Sequence, residues 1–442
     1  MVTLTVENGG PVPPMGRGIT AVREIGLRIV SAALQILATL AVVQTLAPPI
    51  AGIYFRGAVI AYGLAALLRG KYELFIAQYF ADPEKSDLGA HARTVVRGLG
   101  IRVLIRSAIA CALLLVFTAD MDVMDVYLHP YLQTYLPFVL AVPFATLALF
   151  LASALRAVNH TLGSVMVASY SINVMIIVAG TATATLWPDA PLFTLSWGFF
   201  IGCVLAAAMG VLLTRHVFDI PKDSRELRLD AAEWREIYAA TGRNGITGLA
   251  LAALQWGPVC VLAVFGSAIE IAQFAVVTRT AHIIDFLIPG VIFVPNSARI
   301  QSRLSQAMHS ARGKLAVDIS VSLATTTACV LAVGISTPWL VTWYGTAYTG
   351  LMALFILLYL AQWVTGSLRP ALRTLAADWD PGRVRRIMFI SMTVAIALTL
   401  AGVNDYGPLA AAVGVLAGAI ALNGQALESA FRLTSSRSAS PP

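Results

Sequence analysis

The chain is 442 residues long, 58% hydrophobic and 12% charged, with a formal net charge of +7 and a mean hydropathy of +0.78. One water-soluble core cannot hide that many apolar side chains and still present a charged surface, so the composition excludes a soluble globular protein and requires an integral membrane protein. The positive charge calls for no nucleic-acid partner, because the basic residues fall where membrane topology puts them.

The N-terminal stretch "MVTLTVENGGPVPPMGRG" has no apolar run before a cleavage site, so it is not a secretory signal and reads as a flexible cytoplasmic arm over residues 1–18. A spanning helix takes about 20 mostly apolar residues. On that scale the chain yields twelve in order, at 24–46, 50–70, 99–118, 132–155, 163–186, 192–214, 242–265, 270–294, 315–336, 348–368, 385–402 and 406–428, of which the second and eighth have room to run longer. The short connections make this an all-α polytopic bundle with no soluble domain between the helices. The longest connection, "RHVFDIPKDSRELRLDAAEWR" from Arg215 to Arg235, mixes both signs near mid-chain and divides the helices six and six. The expected organisation is an N-terminal six-helix bundle over 19–214, a cytoplasmic linker over 215–236, a C-terminal six-helix bundle over 237–430 and a disordered cytoplasmic tail over 431–442, ending "SSRSASPP".

Loops after the even-numbered helices carry the basic residues, among them Arg93, Arg97, Arg225, Arg228, Arg299, Arg303, Arg383 and Arg385. The loops after the odd-numbered ones, such as "TLAPPI", "WPDAPLF" and "VNDYGP", have no Lys or Arg. By the positive-inside rule both termini are cytoplasmic. Trp187, Trp339, Trp343, Tyr344 and Tyr348 fall at the opposite face, where aromatic belts sit. Cys111, Cys203, Cys260 and Cys329 lie far apart in apolar runs, which fits neither a disulfide framework nor zinc-ligand spacing, and they read as small hydrophobes. No cofactor motif is present; in particular there is no glycine-rich, lysine-ended nucleotide cradle.

The two halves match at a shift of 220. "AALQ" at 32–35 recurs at 252–255, Arg23 falls on Arg243, and Tyr54 on Phe274. Because each half holds an even number of helices, the halves share one orientation, which makes this a parallel repeat about an axis along the membrane normal.

Ionisable residues inside the spans are the candidates for function. They are Arg28 in the first helix, Arg56 in the second, Arg106 in the third, and Arg279, His282 and Asp285 in the eighth, with Arg23 and Arg243 at the cytoplasmic starts of the first and seventh. Arg23, Arg243, Arg69, Lys71 and Arg106 are near enough to the surface to snorkel. Glu24 and Arg28, at i,i+4, can neutralise each other, and Arg279, His282 and Asp285 can form a ladder on one helix face. Arg279 lies about 13 Å into its helix, beyond easy reach of either surface. Arg56 and Arg279 therefore read as facing an internal cavity, and several arginines in one cavity suit a multiply charged anion, since the planar fork matches phosphate oxygens. Gln35 and Gln255, at equal height in the first and seventh helices, either bridge helices or offer donors and acceptors to sugar hydroxyls.

Twelve helices in two parallel sets, intramembrane cations in the first, second and eighth, the segment "IAGIYFRGAVIAYGLAALLRGKYELFIAQYF" and the ending "VPNSARIQSRL" after helix eight resemble the multidrug/oligosaccharidyl-lipid/polysaccharide (MOP) flippase superfamily, and within it the polysaccharide and O-antigen flippases. The resemblance implies a V-shaped, MATE-like pair of bundles in the cell inner membrane. Their central cavity would carry an undecaprenyl-pyrophosphate-linked oligosaccharide across, tail in the bilayer, in company with membrane lipids and polysaccharide assembly proteins. It implies substrate-binding roles for Arg23 or Arg28, Arg56 and Arg279, and twelve helices favour a polysaccharide-repeat flippase over a lipid II carrier. Two alternatives stand beside it. A MATE-type cation-coupled drug or metabolite antiporter needs embedded carboxylates, for which Asp285, Glu24 and Glu270 are available. A membrane polymerase or glycosyltransferase needs a catalytic external loop, for which residues 119–131 offer Asp120, Asp122, Asp125 and His129.

Overall fold

The computed structural model describes residues 14–81, 90–119, 125–158, 160–218, 230–292, 311–377 and 381–439. Among the described residues each expected span falls on a helix. The N-terminal bundle comprises α1 (Pro14–Thr45), α2 (Pro48–Ala81), α3 (Ala90–Ala119), α4 (Asp125–Ala157), α5 (Thr161–Thr185) and α6 (Pro191–Val217). A linker helix, α7 (Ala231–Arg243), precedes the C-terminal bundle of α8 (Gly245–Phe265), α9 (Ala268–Ile292), α10 (Ala311–Tyr344), α11 (Met352–Ala377), α12 (Pro381–Tyr406) and α13 (Pro408–Ala439). Among the described residues eleven helices are long and apolar enough to cross a membrane, and the twelfth expected span is α9. The protein is a multi-pass membrane protein.

Helices are dictated by the solvent, since a chain in hydrocarbon must satisfy its own backbone hydrogen bonds. Proline opens α2, α6 and α13, where its fixed φ suits the first turn and its missing N–H would have had no helical partner. Buried hydroxyls also turn back on their own helix, as when Thr39 Oγ1 donates to Gln35 O at 2.8 Å and Thr399 Oγ1 to Ala395 O at 2.8 Å.

The bundles meet where α1 packs on α9 and α2 packs on both α8 and α9. Two backbone-to-backbone contacts pin α2 in place. A Cβ at Gly52 would overlap the backbone of Ala268, and one at Gly70 would lie 2.8 Å from Gly248 O. The core along this seam holds the fully buried rings of Tyr54, Phe55, Phe138, Phe199 and Phe274. The four cysteines are free, and all but Cys260 are buried.

The structure corrects four expectations. Residues 231–236 of the supposed linker open α7, whose Asp230 and Glu233 form a capping box and whose Trp234 and Tyr238 stack at 5.4 Å, with Arg102 of α3 3.4 Å from the Tyr238 ring. The tail expected to be disordered from 431 continues as helix to Ala439, with Thr434 buried and Arg312 5.6 Å from the Phe431 ring. The arm expected over 1–18 is helical from Pro14 on, and residues 1–13 lie outside the described residues. Trp187, Trp339 and Trp343 are exposed as a belt requires, but Tyr344 and Tyr348 are buried, and Tyr344 Oη lies 3.1 Å from Thr280 Oγ1. For Tyr344, a hydroxyl that finds a partner inside the bundle lets the ring gain more by burial than by lying at the interface.

Candidate functional site

Between the bundles lies a cavity of about 350 Å3. The N-terminal side contributes Gln35 from α1, Phe55, Tyr62 and Arg69 from α2, and Ser169 and Asn173 from α5. Phe55, Tyr62 and Arg69 are spaced by seven, which puts them on one face of α2. Ser169 reaches the wall from a π turn at Met166–Tyr170 within α5, a distortion that often marks functional sites. Tyr170 of that turn donates to Leu27 O at 2.7 Å and ties it to α1. The C-terminal side contributes Gln255 and Trp256 from α8, Thr278, Arg279 and His282 from α9, and Gln362 from α11.

Arg279 reaches the cavity from α9. Its guanidinium lies 5.2 Å from the centre of the Phe55 ring, a cation–π placement, and its carbonyl accepts a 3.0 Å bond from Gln35 Nε2. Gln35 thus bridges the bundles and also stands in the wall. Tyr62 and Trp256 stack across the seam at 5.9 Å, with planes 16° apart. Ser169 Oγ and Thr278 Oγ1 are buried in the wall with no hydrogen-bond partner among the described residues. The described lining residues include two arginines and a histidine and no carboxylate. No group of three potential metal ligands occurs among the described residues.

The other sequence-derived candidates divide. Gln255 lines the cavity, and so does His282, which the sequence placed in a ladder with Arg279 and Asp285. Arg56 does not: its Nη2 donates at 2.9 Å to the carbonyl of Gly266, at the corner between α8 and α9, while Glu270 accepts from Ser267 N at 2.7 Å. Arg106 is exposed and donates to Tyr72 Oη at 2.9 Å, a snorkelling placement. The side chains of Arg23, Glu24, Arg243 and Asp285, and the segment "VPNSARIQSRL", lie outside the described residues. The Tyr62·Trp256 pair and Arg69 as a wall residue were missed as site residues; the seven-residue stripe on α2 is the signal that carries two of the three.

A polytopic membrane protein of two six-helix bundles with a cationic cavity at their seam is the class this geometry defines. Among solved structures it is similar to a lipid II flippase MurJ in an inward closed conformation, at 13% identity over 92% of this chain and 87% of that one, with a TM-score of 0.64. A MOP superfamily transporter from Pyrococcus furiosus matches at 13% identity over 94% and 95% of the two chains, TM-score 0.57. An inward-facing multidrug resistance MATE family transporter matches at 12% identity over 95% and 100%, TM-score 0.53. No protein-family model and no curated sequence matches the chain. The chain has the fold of the MOP superfamily transporters.

Proposed function

We propose that the protein is an inner-membrane flippase that moves an undecaprenyl-pyrophosphate-linked oligosaccharide outward by alternating access, without catalysing a reaction. The observation that carries this reading is the charge of the seam cavity: Arg279 beside Phe55, Arg69 further along α2, and no carboxylate among the described lining residues. Such a wall repels cations and holds a diphosphate, whose oxygens the guanidinium fork pairs with bidentately. Beside it, the Tyr62·Trp256 faces and the amides of Gln35, Asn173, Gln255 and Gln362 match the apolar faces and hydroxyls of sugars. The polyprenyl tail remains in the bilayer, with lipids and polysaccharide assembly proteins as the partners.

The test is surface polysaccharide in cells that depend on this protein. Arg279→Ala should lower export by about tenfold or more, the loss expected for one charge-assisted pair, with normal protein levels and with lipid-linked oligosaccharide accumulating inside. Arg279→Lys should retain part of the export. Normal export from Arg279→Ala overturns the reading, and a loss of ion-dependent drug extrusion in its place would establish the antiporter.

A further inference from the structure

On the N-terminal side of the cavity, Ala168, Ser169, Ile172, Asn173 and Ile176 line the wall as one stripe of α5. Asn173 is 8% exposed, and no hydrogen bond engages its amide among the described residues. One turn back, Ser169 Oγ is buried and likewise without a partner there. An unpaired amide at that depth costs free energy that a leucine of similar size would not. Bridging helices does not explain it, since an amide that bridges shows its bond, as Gln35 does to Arg279 O. Nor does the repeat require it. The shift of 220 carries Ser169 onto Phe389 and Asn173 onto Thr393, which is exposed on α12 and turns its Oγ1 back to Phe389 O at 2.9 Å.

The height of Asn173 in the cavity gives that amide a task. Helix α1 packs against both α5 and α9. A Cβ at Gly180 would lie 2.9 Å from Ala41 Cβ, and Tyr170 Oη reaches Leu27 O, so Asn173 stands beside residues 30–34 of α1, about a turn or less from Gln35. Gln35 in turn holds the Arg279 backbone. Asn173, Gln35 and Arg279 therefore follow one another round the wall at about one height. We infer that Asn173 is a specificity-determining residue that reads a vicinal pair of equatorial hydroxyls on the sugar ring next to the diphosphate. The inference rests on the reading of the cargo as a saccharide whose diphosphate sits on Arg279. In the planar amide, Nδ2 donates to one hydroxyl and Oδ1 accepts from its neighbour. A ring lacking one hydroxyl of the pair leaves part of a buried amide unpaired, which is the condition under which a site rejects an analogue strongly.

The experiment measures binding and leaflet exchange of two probes with the full chain in lipid vesicles. One is undecaprenyl diphosphate carrying glucose; the other carries 3-deoxyglucose, which lacks one oxygen and with it both vicinal pairs of ring hydroxyls. Wild type should bind the glucose probe about tenfold more tightly, as an amide left half unpaired implies. Asn173→Leu should bind both probes equally, about as weakly as wild type binds the deoxy probe, and Asn173→Gln should restore part of the preference. A purely structural role for Asn173 predicts instead that Asn173→Leu weakens both probes alike and keeps their ratio. Equal affinity of wild type for the two probes overturns the assignment without any variant having to fold, and so does an undiminished preference in Asn173→Leu. Failure of the flippase reading looks different. If both probes bind with the tenfold preference and neither exchanges faster than in protein-free vesicles, that reading fails and the role of Asn173 stands; if neither probe binds, both fall.

Discussion

A guanidinium inside a spanning helix costs about 2.5–3.5 kcal/mol at the bilayer centre, and the three arginines of the seam offset that cost in three ways. Arg279 uses a ring face, Arg69 a carboxylate one turn away, and Arg56 a backbone carbonyl across the seam. The last joins α2 to the α8–α9 corner beside the Gly52·Ala268 contact, so Arg56 acts as a latch on the face opposite the basic loops. Arg56→Ala should therefore lower the melting temperature by a few degrees, as the loss of one charged hydrogen bond implies, and should speed labelling of a cysteine at Gln255 from that face. Arg56→Lys, which still donates, should restore part of both. Lost transport with unchanged melting and labelling would return Arg56 to substrate binding. The sequence marks Arg56 as needing a partner but cannot name this one, because a carbonyl belongs to no residue type and leaves no pattern to read.

At the scale of the element, α2 is the piece around which the seam is built. Its stripe of Phe55, Tyr62 and Arg69 faces the cavity, and its two glycine contacts stand eighteen residues apart, about 27 Å of helix, close to the thickness of the hydrocarbon core. Either end of α2 must part from α8 or α9 for the cavity to open on that side. A Cβ at Gly70 lies 2.8 Å from Gly248 O, so the backbones must separate. Gly70→Ala should cost roughly 1–3 kcal/mol and raise labelling of the Gln255 cysteine from the basic face. Unchanged melting and labelling would mean that the contact closes nothing. Other elements were legible to different degrees. The spans follow from apolar run length, since the bilayer leaves no alternative to helix. The linker helix α7 carried a readable capping box at Asp230 and Glu233, masked by its mixed charge. The π turn in α5 has no residue signature; the bond from Tyr170 to Leu27 O that ties it to α1 is made across the fold.

At the scale of the whole molecule, the repeat seen in the residues is also seen in the walls. Gln35 and Gln255, Phe55 and Ala275, Ala58 and Thr278, Val59 and Arg279, and Tyr62 and His282 are each related by the shift of 220, and all ten line the cavity. The helix contacts obey the same symmetry, since the repeat carries α1 packed on α9 into α8 packed on α2. The chemistry departs from it: the C-terminal wall holds Thr278, Arg279 and His282 where the N-terminal wall holds Ala58, Val59 and Tyr62. Two like-facing bundles suit rocking about a midplane site, and at these repeat positions Arg279 and His282 ride on the C-terminal one. Internal symmetry was legible from "AALQ" and the central hinge, whereas the asymmetry emerges only once the walls are known, because Ala58 and Val59 look like ordinary span residues.

The most direct test of the account is flipping in reconstituted vesicles. A labelled undecaprenyl-diphosphate oligosaccharide is placed in one leaflet, and its appearance in the other is timed with an impermeant sugar-modifying reagent. Wild-type protein should speed the exchange well above protein-free vesicles without added nucleotide, and Arg279→Ala at equal protein density should bring it back close to the protein-free rate. Exchange no faster than in protein-free vesicles, or equally fast in wild type and Arg279→Ala, would contradict the account.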